Sequence, residues 1–140
     1  MKNEDKLQKL YVEFQTLNNS IKQLEQQNEA LESQLMELMM TNQGLEDMDK
    51  IKSDTEILVP VSSGIYAKAQ IKDSKNFLVN VGSGVTLNKD LDSTKKIIEN
   101  QVDEIRKLQQ NLMKELQDRT SKAAVLEGEM KKLASALESK

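Results

Sequence analysis

The sequence predicts an α+β fold, a long antiparallel two-helix coiled coil with two β-hairpins at its base. Three observations carry that prediction. Residues 7–45 hold apolar side chains at a spacing of three and four, residues 91–137 hold a second run of the same kind, and residues 57–87 between them switch to a period of two.

The first helix is expected over about residues 3–52, within an N-terminal coiled-coil segment 1–52. At roughly 1.5 Å of rise per residue it forms an arm of about 70 Å. Leu7, Phe14, Ile21 and Leu35 occupy heptad position a, and Leu10, Leu17, Leu24, Leu31, Leu38 and Leu45 occupy every d. Asn28 and Asn42 fall at a, where a buried amide sets register or partner at a cost in stability. Met36, Met39 and Met40 form an adaptable apolar group expected to pack near the base. Gly44 is a weak point in the last turns.

Residues 53–88 are expected to form two β-hairpins. Apolar side chains stand at odd positions: Ile57, Val59 and Val61; Ile65, Ala67, Ala69 and Ile71; Phe77, Val79 and Val81; Val85 and Leu87. Four strands sharing one apolar face are the simplest account. Ser62-Ser63-Gly64 and Gly82-Ser83-Gly84 close the two hairpins, and Asp73-Ser74-Lys75-Asn76 joins them. Pro60 cannot donate to a ladder, so its strand is expected at an edge. Leu58, Tyr66 and Leu78 make the opposite face partly apolar as well.

The second helix lies in the segment 89–140 and is expected to begin near Asn88 as cap, with Asp90 and Asp92 at its positive end. Ile98, Ile105, Leu112, Leu126 and Leu133 occupy d; Val102, Leu116, Ala123, Met130 and Leu137 occupy a. Gln109 at a and Arg119 at d interrupt this seam. Two arms of similar length joined by strands that return the chain to its departure point fold as one antiparallel pair. Aligning the arms at the base sets Leu45 near Ile98, Ile21 near Ala123, Phe14 near Met130 and Leu10 near Leu133, with a half-heptad slip as the alternative register. Both termini then lie together at the far tip.

Composition narrows the function. The 140 residues include 31% charged and 3% aromatic residues and no tryptophan, which suits long helices better than a globular core. Lys and Arg number 6 against 10 Asp and Glu in residues 1–52, 3 against 3 in 53–88, and 11 against 10 in 89–140, so no basic stripe for nucleic acid is expected. Without cysteine or histidine there is no disulfide framework, thiolate site or histidine base. No phosphate loop, nucleophile elbow or metal-spaced cluster is present, and Gly82-Ser83-Gly84 reads as a hairpin turn. A non-enzymatic, cofactor-free, cytoplasmic protein is expected. The N-terminus has no apolar signal core, and no apolar stretch reaches the roughly 20 residues that span a bilayer.

Two regions remain for binding. The strand block is too small to bury its own core and has open edges, so Leu58, Val59, Val61, Ile65, Tyr66, Phe77, Leu78, Val79, Val81 and Val85 are candidates for assembly with other subunits. At the arm ends Leu7, Leu10, Tyr11, Phe14, Met130, Leu133 and Leu137 are candidates for holding an apolar chain. Each of these alone could simply finish the seam. Tyr11, beside Leu10 and off the seam, is the exception.

The run Ile57-Leu58-Val59-Pro60-Val61-Ser62-Ser63-Gly64-Ile65-Tyr66-Ala67-Lys68-Ala69, followed by Val79-Asn80-Val81-Gly82-Ser83-Gly84-Val85, resembles the two-hairpin signature of prefoldin α-class subunits, and the flanking helices extend the resemblance over the chain. Ser62-Ser63-Gly64 departs from the Gly-Ala-Gly type of turn commoner there. The resemblance implies two α and four β subunits whose strands complete an oligomeric β-barrel platform. It further implies an ATP-independent holdase that captures unfolded proteins at the coiled-coil tips and transfers them to a group II chaperonin. Short arms without a tail extension resemble archaeal subunits. Two alternatives stand beside this one: a homo-oligomeric or filament-forming prefoldin-like subunit, and a structural coiled-coil tether.

Overall fold

A computed structural model describes residues 2–139. The elements run α1 (Asn3–Asp49), β1 (Glu56–Ser62), β2 (Ile65–Gln70), β3 (Asn76–Gly82), β4 (Val85–Asp90) and α2 (Leu91–Glu138). The chain divides into two compact units, one drawn from residues up to Gln34 and from Ile105 onward, the other Leu35–Glu104.

In the first unit, the outer parts of α1 and α2 pair along the two seams read from the heptads. Every a and d position there is buried or half-buried, with Leu24, Leu112, Ala123 and Leu126 the most enclosed. Leu10 and Leu133 share one depression, Leu17 and Leu126 a second, Leu31 and Leu112 a third. As the α1 number rises the α2 number falls by the same step, so the pair is antiparallel. The pairing that sets Leu10 near Leu133 therefore holds, and the half-heptad slip does not. The same register brings Leu24 opposite Arg119. Arg119 is half-buried, donates to Ser20 Oγ and lies 3.8 Å from Glu115. The guanidinium reaches polar partners while the side chain stays half-buried, which is how a charged residue is tolerated at d.

In the second unit, β1 pairs only with β2 and β3 only with β4, both antiparallel. Pro60 therefore lies on a strand with one open edge, as its missing donor requires. Every pair of the second hairpin is a pair of the first moved on by twenty positions: Glu56↔Gln70 becomes Asn76↔Asp90, and Pro60↔Tyr66 becomes Asn80↔Thr86. Both ladders slip just before the turn, between Pro60 and Ser62 and between Asn80 and Gly82. Both are also prolonged by matching bonds, Ile71 N to Thr55 O and Leu91 N to Lys75 O, each 3.0 Å. The strand block is thus one hairpin unit used twice.

The turns differ in detail. Ser83 and Gly84 both have positive φ, 51° and 74°, as a two-residue type I′ turn demands, and Gly82 before them is at 112°. Asn80 Oδ1 accepts the Gly82 N–H at 2.9 Å and anchors this bend. In the first turn only Gly64 is left-handed, at 77°. Asp54, at φ 69°, reverses the chain between α1 and β1.

Three features differ from the sequence expectation. α1 ends at Asp49, a few residues before the expected position. Asn88 is not the cap of α2, because it sits in β4 opposite Leu78. Asp90 is the cap instead: its Oδ1 accepts the Ser93 N–H at 2.8 Å, and its backbone carbonyl accepts the buried Thr94 hydroxyl at 2.7 Å. Ladder pairing outbid the earlier cap. Finally, Met36, Met39 and Met40 do not pack: they stand on the outer side of α1, with Met40 72% exposed. They fall off the a/d stripe, and among the described residues they stay open to solvent.

Candidate functional site

The strand surface is built by alternation. Ile57, Ala69, Ile71, Phe77 and Val79, all on the odd-numbered face, are half-buried. Leu58, Tyr66 and Leu78 on the other face are open, Leu78 the most at 77%. Toward the turns even the odd face is exposed, at Val61, Ile65, Val81 and Val85, and Val59 is 40% exposed. Of the ten strand residues proposed from the sequence, only Phe77 and Val79 are covered within the chain to any extent. Leu87 joins the exposed set. An exposed apolar surface of this extent on a single chain marks a place where another surface can bind.

The connector between hairpins has polar roles that pattern reading did not reveal. Ser74 is 3% exposed and donates its hydroxyl to Ile51 O at 2.9 Å. Lys75 Nζ donates to Asp49 O at 2.8 Å and pairs with the Asp49 carboxylate. Asp73 gathers the Lys75 N–H at 2.9 Å and the Asn76 amide at 2.9 Å, and these bonds hold its carboxyl below the ordinary range, the Asn76 side chain contributing most. Ser, Lys and Asp in a short polar loop carry no periodic signal, so only the folded chain shows that they tie the hairpins to the end of α1.

At the ends of the paired helices, Leu7, Leu10, Phe14, Met130, Leu133 and Leu137 are half-buried along the seam, and Tyr11 stands out at 52% exposure. Tyr11 Oη accepts the Gln15 amide at 3.4 Å. Leu10 and Leu133 form the floor of an open groove of about 490 Å³, rimmed by Lys6, Lys9, Glu129 and Lys132. The candidate residues therefore divide into seam, groove floor and one exposed aromatic. The lysine rim escaped the sequence reading, although positions g and c of the heptads mark it. Among the described residues no acidic cluster is arranged to hold a metal ion, and no helix is long and apolar enough to cross a membrane.

This arrangement can be compared with known proteins. The family model described as prefoldin subunit matches residues 17–136. A prefoldin subunit alpha from Methanococcus vannielii is 25% identical over 134 residues, covering 96% of this chain and 90% of that protein. The fold is similar to a chain in the cryo-EM structure of filamentous PFD from Methanocaldococcus jannaschii, with a TM-score of 0.74 and 17% identity over 83% of this chain and 96% of that one. Two hairpins between two seams, with the matched family spanning both, lead to one conclusion: the chain belongs to the prefoldin family of chaperone subunits, and is of its α type.

Proposed function

We propose that this chain is the α-class subunit of a cytoplasmic, hexameric, ATP-independent holdase containing two α and four β subunits. It assembles through its strands, holds unfolded proteins at the ends of its paired helices and passes them to a group II chaperonin. The observation that carries this reading is the open apolar strand surface, which leaves Leu58, Tyr66 and Leu78 uncovered on the chain alone. Assembly with other prefoldin subunits follows from family membership.

Each arm end offers few apolar groups, Tyr11 and the Leu10–Leu133 floor among them, so each contact is weak. Several arms on one platform raise the effective concentration of every contact after the first, which gives retention without nucleotide hydrolysis. Release follows from the short life of the individual contacts.

A second reading is supported by the likeness to the filamentous assembly. In it the chain assembles with copies of itself, the repeated hairpins offering two equivalent pairs of open edges per subunit. The native mass of the chain, alone and co-expressed with a β-class subunit, separates the two. A defined mixed hexamer supports the first reading, and a ladder of homo-oligomers with no β incorporation supports the second.

A further inference from the structure

The groove over Leu10 and Leu133 is one of a series on a single face of the first unit. The depressions floored by Leu17 with Leu126 and by Leu31 with Leu112 are lined, like the first, almost wholly by heptad positions g and c of both helices. In an antiparallel pair those positions lie on the same side. Successive d layers are seven residues apart, about 10.5 Å along the axis. The Leu24 layer belongs to the series, but there Arg119 lies across the seam to reach Ser20.

From this geometry we propose that the g/c face seats an amphipathic helix whose end over the outermost groove is acidic, a chemical class of client for the arms that rests on the holdase reading above. Spacing selects the helix. A helix presents side chains at i and i+7 about 10.5 Å apart, matching consecutive layers. An extended strand repeats its same-face side chains at multiples of about 6.7 Å and falls out of step after one layer.

Charge selects the sign. Lys6, Lys9 and Lys132 surround the outermost groove against the single carboxylate of Glu129, and among the described residues none of these lysines is ion-paired. The next depression is net negative, with Glu13 and Asp118 against Lys122, which pairs with Asp118 at 3.2 Å, and the third holds only the carboxylate of Glu115, so the positive rim belongs to the outermost groove alone. At the Leu24 layer the Arg119 guanidinium is already met by Ser20 Oγ and by the Glu115 carboxylate at 3.8 Å, so it adds no free cationic point. The bound helix accordingly carries leucine-like side chains one heptad apart, with its carboxylates confined to the end that faces Lys6, Lys9 and Lys132.

The test uses the full chain in its native assembly and three fluorescent peptides of equal composition in apolar residues. One is a heptad helix with glutamates flanking the apolar strip at one end, one is its lysine twin, and one has the acidic composition with the apolar residues alternating. The acidic helix is expected to bind about tenfold more tightly than the lysine twin, with an affinity that falls as salt rises. The triple variant Lys6→Glu, Lys9→Glu, Lys132→Glu should reverse that order. The altered side chains are all exposed, and circular dichroism checks that the helices persist. Equal binding of all three peptides, no binding of any, or an unreversed order in the variant overturns the proposal. Suppression of client aggregation by the same preparations keeps the two readings apart. If it persists while the peptides are not discriminated, only this inference falls, whereas its loss in the wild-type assembly removes the holdase reading itself.

Discussion

The Lys75 ammonium donates to both the backbone carbonyl and the carboxylate of Asp49, the last residue of α1, and so ties the inter-hairpin connector to the helix end. The bond from Lys75, and then its charge, hold the Asp49 carboxyl below the ordinary carboxylate range, with Lys95 and Lys50 adding smaller contributions. Lys75→Met should return Asp49 toward 3.8, the value it would otherwise have. A carboxyl NMR titration of the two proteins checks this. Both side chains are well exposed, so the melting temperature should fall only slightly.

Ser74 is the stronger tie. Ser74 is almost wholly buried and Ile51 half-buried, so Ser74→Ala removes the donor from a carbonyl that water reaches only in part. A loss of about 1 kcal/mol, the net worth of a typical hydrogen bond, is expected. Urea denaturation of the assembled protein measures it.

Acid should loosen the hairpin block before the arms. Asp49, Asp73 and Asp90 all have lowered pKa values in the fold, Asp90 through bonds from Ser93. A lowered folded pKa means that the unfolded chain binds more protons. The stabilisation is therefore complete above the unfolded value of 3.8 and is lost as pH falls through the lower folded values. Hydrogen exchange at decreasing pH should show Leu91–Thr94 and the connector opening earlier than the seam residues near Leu112.

The second turn is predicted to accept glycine and reject branching. Ser83 has φ 51°, and a Cβ added at Gly84 would meet no neighbour within 4 Å, so conformation alone sets the outcome. Ser83→Gly should be neutral or stabilising by up to about 1 kcal/mol, and Gly84→Val should cost about 1–2 kcal/mol. Thermal melts of both variants decide the sign.

The long-range plan of the chain was legible because two periods are written plainly in it. Leu10, Leu17, Leu24 and Leu31 recur every seventh residue, and Ile57, Val59 and Val61, like Phe77, Val79 and Val81, recur every second, so both the seams and the hairpins could be placed. Junctions were harder. Asn88 and Asp90 are both good caps, and only the pairing of Asn88 with Leu78 leaves the role to Asp90. Met36, Met39 and Met40 read as packing because methionine is apolar, yet packing depends on the side of the helix they occupy. Ser74, Lys75 and Arg119 act through single polar contacts, to which no periodicity points. At the arm ends the seam hid the groove, since Leu10 serves both.

The central claim is that the arm ends hold clients while the strands hold the assembly. Deleting residues 1–10 and 131–140 removes Leu10, Tyr11's neighbouring turn and Leu133 but leaves the hairpins untouched. The measurement is light-scattering of an aggregating client in the presence of this truncated assembly, with its mass determined in parallel. The expected result is an intact oligomer that no longer suppresses aggregation. An intact oligomer that suppresses aggregation as well as the full-length protein would contradict it.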